Sequence, residues 1–172
     1  MNLKNALLPI LIAFVVYIIF SGSVSYYDIL TGIVISVVAG ILFSEVLVSN
    51  AGKSLNPVRL AYLIKYAFYY FFVAEVLAHK DVIKRILDPK MPINPGIVRT
   101  PYEVSGDYTV ASVAGSIINT PGTVVIDLDE DKRIYYVHWI DVTSQEPAKC
   151  RAAICESFEK YLSKVFQDEV RA

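Results

Sequence analysis

A chain of 172 residues has room for about one domain plus a membrane anchor, and its formal net charge of −1 supplies no field that would gather nucleic acid. The hydrophobic share of 55%, the charged share of 19% and the mean hydropathy of +0.47 lie on the apolar side of ordinary globular composition and point to a membrane protein. The two cysteines, Cys150 and Cys155, stand five residues apart, different faces of a helix, which argues against a disulfide; with His79 and His138 they make no metal-ligand pattern, and no cofactor is expected.

The first apolar run, Ala6 to Phe20, carries Pro9 and follows a single early lysine, Lys4. A second run follows almost at once and Ser21-Gly22-Ser23 is a poor cleavage site, so the segment reads as retained rather than as a signal peptide. It is short for a bilayer core, which takes about 20 helical residues. It crosses with its extension through Val24, or dips in as a half-hairpin packed on protein. Ser21 to Asp28 then reads as a polar loop, with Tyr26 and Tyr27 suited to the water interface.

The second run, Ile29 to Val48, is long enough to span. Gly32, Ser36 and Gly40 recur every four residues and put small groups on one face, where another helix can come close. Ser49 to Pro57, with Asn50, Gly52, Lys53 and Asn56, reads as a turn-rich connection. The third run, Val58 to Ala78, is heavily aromatic, and Tyr62, Tyr66 and Tyr70 repeat at four-residue spacing. Tyrosine hydroxyls seek partners, so this face is expected to pack on protein, in this chain or in a neighbour.

Glu45, Lys65 and Glu75 are ionisable residues inside or near these runs. A charge at mid-membrane costs about 2.5–3.5 kcal/mol on insertion scales. Three readings stay open: the glutamates sit near helix ends while Lys65 snorkels, Glu45 and Lys65 pair across a hairpin, or the residues relay ions. Glu75 and His79 share a face and can pair. With three crossings the positive residues nearly balance, Lys4, Lys53 and Arg59 on one side against Lys80, Lys84, Arg85 and Lys90 on the other. The denser second cluster, with the free cysteines, favours a cytoplasmic C-terminal domain.

His79 to Leu87 is amphipathic and basic, suited to a membrane surface. Asp88 to Gly96 is a proline-rich linker. Ile97 to Val104 reads as a strand, which Pro101 demotes to an edge. Asp107 to Asn119 has helical spacing with Asp107 as its cap. Thr123 to Asp127 and Arg133 to Ile140 make a hairpin around the acidic tip Asp129-Glu130-Asp131-Lys132, and the second strand, apolar on both faces, is expected between two protein layers. A capping box from Thr143 to Glu146, with Pro147 in the first turn, opens one last helix to about Asp168. The fold expected is therefore an α-helical membrane region of about three apolar helices followed by a small α+β domain, strand-helix-strand-strand-helix. The divisions are a membrane region at 1–78, a juxtamembrane helix and linker at 79–96 and a soluble domain at 97–172.

This domain shows no catalytic constellation. His138 has no sequence-evident partner and reads as structural, and the acidic tip lacks calcium-loop spacing. Gly115-Ser116 has no second glycine at Ile118 for a nucleophile elbow.

The run Ser116-Ile117-Ile118-Asn119-Thr120-Pro121-Gly122-Thr123, the alternating strand and acidic hairpin after it, and then Val137-His138-Trp139 resemble the E subunit of multisubunit cation/proton antiporters of the Mrp or Mnh type. The same subunit type recurs in archaeal membrane-bound hydrogenase and related respiratory complexes. The resemblance covers nearly the whole chain and is most specific at Thr120-Pro121-Gly122-Thr123 and the valine-histidine strand. The family often has a second threonine and a leucine where Ile118 and Asn119 stand here. It implies a non-catalytic accessory subunit of a plasma-membrane sodium/proton antiporter or respiratory complex, whose partners are other membrane subunits and the lipid bilayer. Thr120, Pro121, Gly122, Thr123 and His138 would then be structural, Pro121 and Gly122 shaping the turn. The alternatives are direct ion handling through Glu45, Lys65 or Glu75, and a membrane-anchored enzyme or binding module.

Overall fold

Apolar runs bounded by serine, glycine and proline give helices where the sequence places them. The computed structural model describes residues 3–47 and 56–166, and Cα packing divides the chain into two units, Met1–Pro57 and Val58–Ala172. The connection expected through Asn50, Gly52 and Lys53 lies outside the described residues.

In the first unit, α1 (Leu3–Ser21) and α2 (Tyr26–Leu47) form an antiparallel hairpin. The joint is shorter than the sequence suggested, because α1 runs on through Ser21. Gly22 ends it at φ +63°, its N–H still bonded to the Ile18 carbonyl at 3.2 Å. Ser25 then caps α2: its hydroxyl accepts from the Asp28 N–H at 3.2 Å and donates to the Asp28 carboxylate, a variant of the capping box.

The second unit opens with one continuous helix, α3 (Pro57–Leu87), where the sequence suggested an apolar span and a separate amphipathic turn. Its middle, Tyr70–Ala74, is a π segment. A π turn inserts extra arc, which keeps Ala74, Asp81 and Arg85 on the same face as Arg59, Tyr66 and Tyr70 instead of letting that face drift around the helix. Asp88 to Pro95 is pinned by its own bonds: Asn94 accepts from Val142 N–H and its Nδ2 donates to the Val142 carbonyl, both at 2.8 Å.

The strands β1 (Gly96–Pro101), β2 (Thr123–Asp129) and β3 (Ile134–Trp139) form an antiparallel sheet in the order β1-β3-β2. β1 is an edge and Pro101 ends it, as a residue without an N–H must. Val98, Thr100, Tyr135 and Val137 face the helices and are buried. A bulge at Ile126 lets both Val125 and Leu128 oppose inward residues, Val137 and Tyr135. On the other face Ile97, Val124, Ile126 and His138 are exposed. β3 was expected between two layers, but among the described residues this chain covers one face of it only.

Three helices cover the inner face: α4 (Asp107–Asn119), α5 (Pro147–Ile154) and α6 (Glu156–Phe166). The cap of α4 is Gly106, at φ +94°, and Asp107 falls in the first turn, where its charge meets the helix dipole. The expected capping box does not form either; Glu146 is the cap of α5, and Pro147 takes the first helical position. The single last helix is two, broken at Cys155. The break lets both cysteines turn inward: each is a fully buried free thiol, and Cys155 lies against the Pro101 carbonyl at 3.7 Å. Ile154, Phe158 and Leu162 continue the stripe under Val113, Ile117 and Tyr135.

Candidate functional site

Two surfaces carry the residues singled out by sequence. The first is the seam between α1 and α2. A Cβ on Gly40 would stand 2.8 Å from the backbone N and 2.9 Å from the Cα of Ile10, and one on Gly32 would stand 2.7 Å from the Tyr17 ring. Only glycine admits that approach. Ser36, between them, is fully buried, its hydroxyl without a hydrogen-bond partner among the described residues, and Tyr17 Oη meets Thr31 Oγ1 at 2.8 Å. The small-residue stripe is thus filled by α1 of the same chain. Glu45 lies in the last turn of α2.

The second surface is the face of α3 turned to the α+β domain. Arg59 Nε donates to the Val165 carbonyl at 2.5 Å. Lys164 Nζ stands 5.7 Å from the centre of the Tyr62 ring. The Tyr66 hydroxyl is hydrogen-bonded to Ser116 Oγ. Tyr70, 7% exposed, donates to the Glu75 carboxylate, accepts from Asn119 Nδ2 at 2.9 Å and packs on Phe158. Glu75 in turn lies 3.2 Å from His79 Nδ1. At the far end Arg85 pairs with Asp141 at 2.9 Å and donates to the Pro92 carbonyl at 2.7 Å. Lys65 is exposed, on a different strip of the helix.

The run from Thr120 to Thr123 ties α4 to the sheet beneath this helix. Thr120 Oγ1 donates to the Ser116 carbonyl at 2.7 Å and Thr123 Oγ1 to the Ile117 carbonyl at 2.8 Å, so two C-terminal carbonyls of α4 are satisfied. Gly122 sits at φ +98°, a conformation costly to other residues, and its carbonyl accepts from Ile140 N–H at 2.9 Å. A Cβ there would meet Ile140 at 3.1 Å and Val82 of α3 at 3.7 Å. A cleft of about 250 Å³ lies beside the turn, lined among others by Tyr69, Ala78, Asp81, Thr120 and Trp139. His138 stands on the exposed sheet face, away from this turn's hydrogen bonds.

Sequence spacing missed Tyr69, stacked on Tyr161 at 4.6 Å between ring centres, and the buried pair Arg151–Glu159. Glu159, 2% exposed, accepts from Arg151 at 2.7 Å and 3.1 Å and from the Glu103 N–H at 3.0 Å. A glutamate within a mostly polar helical turn gives no sign of this. The one signal available was that Glu159 sits one position from Phe158 on the buried stripe.

Residues 10–165 match the family described as MNHE, Na+/H+ ion antiporter subunit. The chain is 29% identical over 162 residues to the E1 subunit of the Na+/H+ antiporter of Staphylococcus haemolyticus, covering 94% of this chain and 97% of that one. It is 40% identical over 95 residues to the E subunit of the Na+/H+ antiporter of Alkalihalophilus pseudofirmus, a match that spans 55% of this chain and 59% of that relative. Its fold superposes with TM-score 0.81 and 31% identity on a chain of the membrane-bound sulfane sulfur reductase, an archaeal respiratory membrane complex, over 95% of this chain and 99% of the other. With its membrane-type helix hairpin, its three-stranded domain and a family match over nearly its whole length, the chain belongs to the MNHE family of Na+/H+ ion antiporter subunits.

Proposed function

We propose that the chain is a non-catalytic accessory subunit that assembles or stabilises a multisubunit sodium/proton antiporter, or an antiporter-linked respiratory complex, in the plasma membrane. The observation that carries this reading is the near full-length superposition on a chain of a respiratory membrane complex. The use of the polar groups supports it. Tyr66 and Tyr70 are bonded to Ser116 and Asn119, contacts that fasten helix to domain, while Glu75 is engaged within the helix by Tyr70 and His79. Gly32, Ser36 and Gly40 serve helix packing. The large apolar side chains of α1 and α2 point outward: Leu7, Ile19, Phe20, Val34 and Leu42 are 57–87% exposed, surface for lipid and for neighbouring membrane subunits. On this reading the C-terminal domain is cytoplasmic, supported by Lys80, Lys84, Arg85 and Lys90 and by two buried free thiols.

The test is purification of the tagged chain from membranes in mild detergent, followed by mass spectrometry of the co-purifying proteins. Large antiporter-like membrane subunits are expected; a chain that emerges alone, folded and monodisperse, would sink the proposal. Glu75→Gln separates the accessory role from direct ion handling: transport is expected to persist in an intact complex, and its loss there would assign Glu75 to the ion path.

A further inference from the structure

The domain occupies one strip of α3 along almost its entire length. The contacts run from Arg59, bonded to the Val165 carbonyl, to Arg85, paired with Asp141. At 1.5 Å per residue that is about 39 Å of helix, longer than the ~30 Å hydrocarbon core of a bilayer. A helix that crossed the membrane in this state would draw the domain's sheet edges and the Arg151–Glu159 pair into hydrocarbon beside it, where irregular backbone and open edges go unsatisfied.

The opposite strip is apolar apart from His79, which falls on it between Phe72 and Ile83. Leu60, Ile64, Phe68, Phe72, Ile83 and Ile86 are each 51–69% exposed. Along one border the helical repeat, re-phased by the π segment, lines up Lys65, Lys80 and Lys84, all exposed. A lysine midway along an apolar run is costly in a crossing helix. On a helix lying flat it is at headgroup depth, with its ammonium available to lipid phosphates.

Charge distribution supplies an independent argument. None of the chain's Lys or Arg residues falls between residues 5 and 52, so the α1–α2 connection carries none. If α3 crosses, the positive residues that flank the membrane are split, Lys4, Lys53 and Arg59 on one face against Lys80, Lys84, Arg85 and Lys90 on the other. If only α1 and α2 cross, every one of them lies on one side, the distribution the positive-inside rule favours.

We propose that α3 lies in the plane of the membrane surface, its Leu60-to-Ile86 stripe sunk among acyl chains and Lys65, Lys80 and Lys84 at the level of anionic headgroups, so that the chain crosses the bilayer twice. The proposal requires that the chain be a membrane protein and does not depend on the accessory role. Continuity with the membrane unit favours lipid as the occupant: nine residues separate Leu47 at the end of α2 from Pro57 at the start of α3, a tether of at most about 32 Å.

The test uses the intact complex in sealed vesicles of each orientation. Val58→Cys and Lys80→Cys, which bracket the apolar run, are expected to react with a membrane-impermeant maleimide from the same face; reaction from opposite faces would overturn the proposal. Lys65→Cys serves if Val58→Cys fails to assemble. It labels from the domain's face in the flat arrangement and is sealed from both faces in a crossing helix. Depth and occupant are read from bimane attached at Ile64→Cys, Phe72→Cys and Ile83→Cys. The complex is reconstituted in phosphatidylethanolamine–phosphatidylglycerol vesicles containing a nitroxide lipid labelled near its headgroup. Similar quenching at all three positions is expected. A profile with its minimum at Phe72 would mean a crossing helix, and absence of quenching at all three would mean that a neighbouring subunit covers the stripe; either result overturns the proposal.

Discussion

The two units bury opposite kinds of residue. Between α1 and α2 the interior is small and partly polar: Ala6, Ser36 and Ser44 are buried and Gly40 lies against backbone, while phenylalanine, leucine and isoleucine face out. In the α+β domain the interior is Tyr135, Ile117, Phe158 and Val137, with Glu159 its one buried carboxylate among the described residues, and the lysines face out. The difference follows from the solvent each unit is built for. In lipid, apolar side chains gain nothing by turning inward, so close backbone approach decides the packing. In water, burial of large apolar area dominates. α3 belongs to both regimes, with tyrosines toward the domain and phenylalanines away from it.

The largest expected effect lies within the water-facing unit. Glu159→Ala would take two charge-assisted bonds from Arg151, which keeps Glu103 at 2.8 Å, and leave the Glu103 N–H without an acceptor, together a cost of about 3–5 kcal/mol. Thermal unfolding of the detergent-purified chain measures it, and a change below about 1 kcal/mol would remove the pair from the account of the domain's stability.

Two equally exposed isoleucines put the contrast to a direct trial. Ile33 on α2 is 48% exposed and Ile126 on the outer sheet face 51%. Ile33→Asp costs about 3 kcal/mol or more if that surface meets lipid, whereas Ile126→Asp, facing water, shifts stability by about 0.5 kcal/mol or less. Glycosylation-reporter insertion for the first and chemical denaturation for the second give the comparison. Equal effects would mean that the two surfaces share a solvent.

The next effect tests the hairpin seam. A methyl on Gly40 meets Ile10 backbone, which cannot step aside, while one on Gly32 meets the Tyr17 ring, which can swing. Gly40→Ala is expected to lose about 1–3 kcal/mol of α1–α2 packing and Gly32→Ala less. Recovery of assembled complex after each change ranks them, and the reverse order would mean that the two helices adjust by sliding.

The smallest effect concerns the thiols. Burial pushes both Cys150 and Cys155 above the ordinary thiol range, so the folded domain holds them neutral. Stability from this source is fully present below the unfolded thiol value of about 8.5 and is lost as pH rises above it. The domain is expected to resist maleimide at neutral pH until denatured, and to unfold more easily as pH climbs past that value. Rapid labelling of the native chain would show that the helix break at Cys155 opens.

Local elements and fold class were legible in the order of the residues. Apolar runs bounded by serine and glycine specify α1 and α2, and the repeat Gly32, Ser36, Gly40 specifies that something packs closely there, because both are properties of one helix. Alternation around Asp129 to Lys132 specifies the β2–β3 hairpin, and Thr120-Pro121-Gly122-Thr123 specifies the turn before it, because those conformations rest on neighbouring residues. Where the aromatic run belongs is a matter of long-range packing. The tyrosine spacing reads alike whether the face meets lipid, a partner or the chain's own domain, and Ser116, Asn119 and Tyr161, which answer it, lie about fifty to a hundred residues downstream. The break at Cys155, the buried Glu159 and the uncovered outer face of β3 were set by the same packing. Each depends on which distant surface closes against the element, and a periodic pattern records that a face is apolar without recording what covers it.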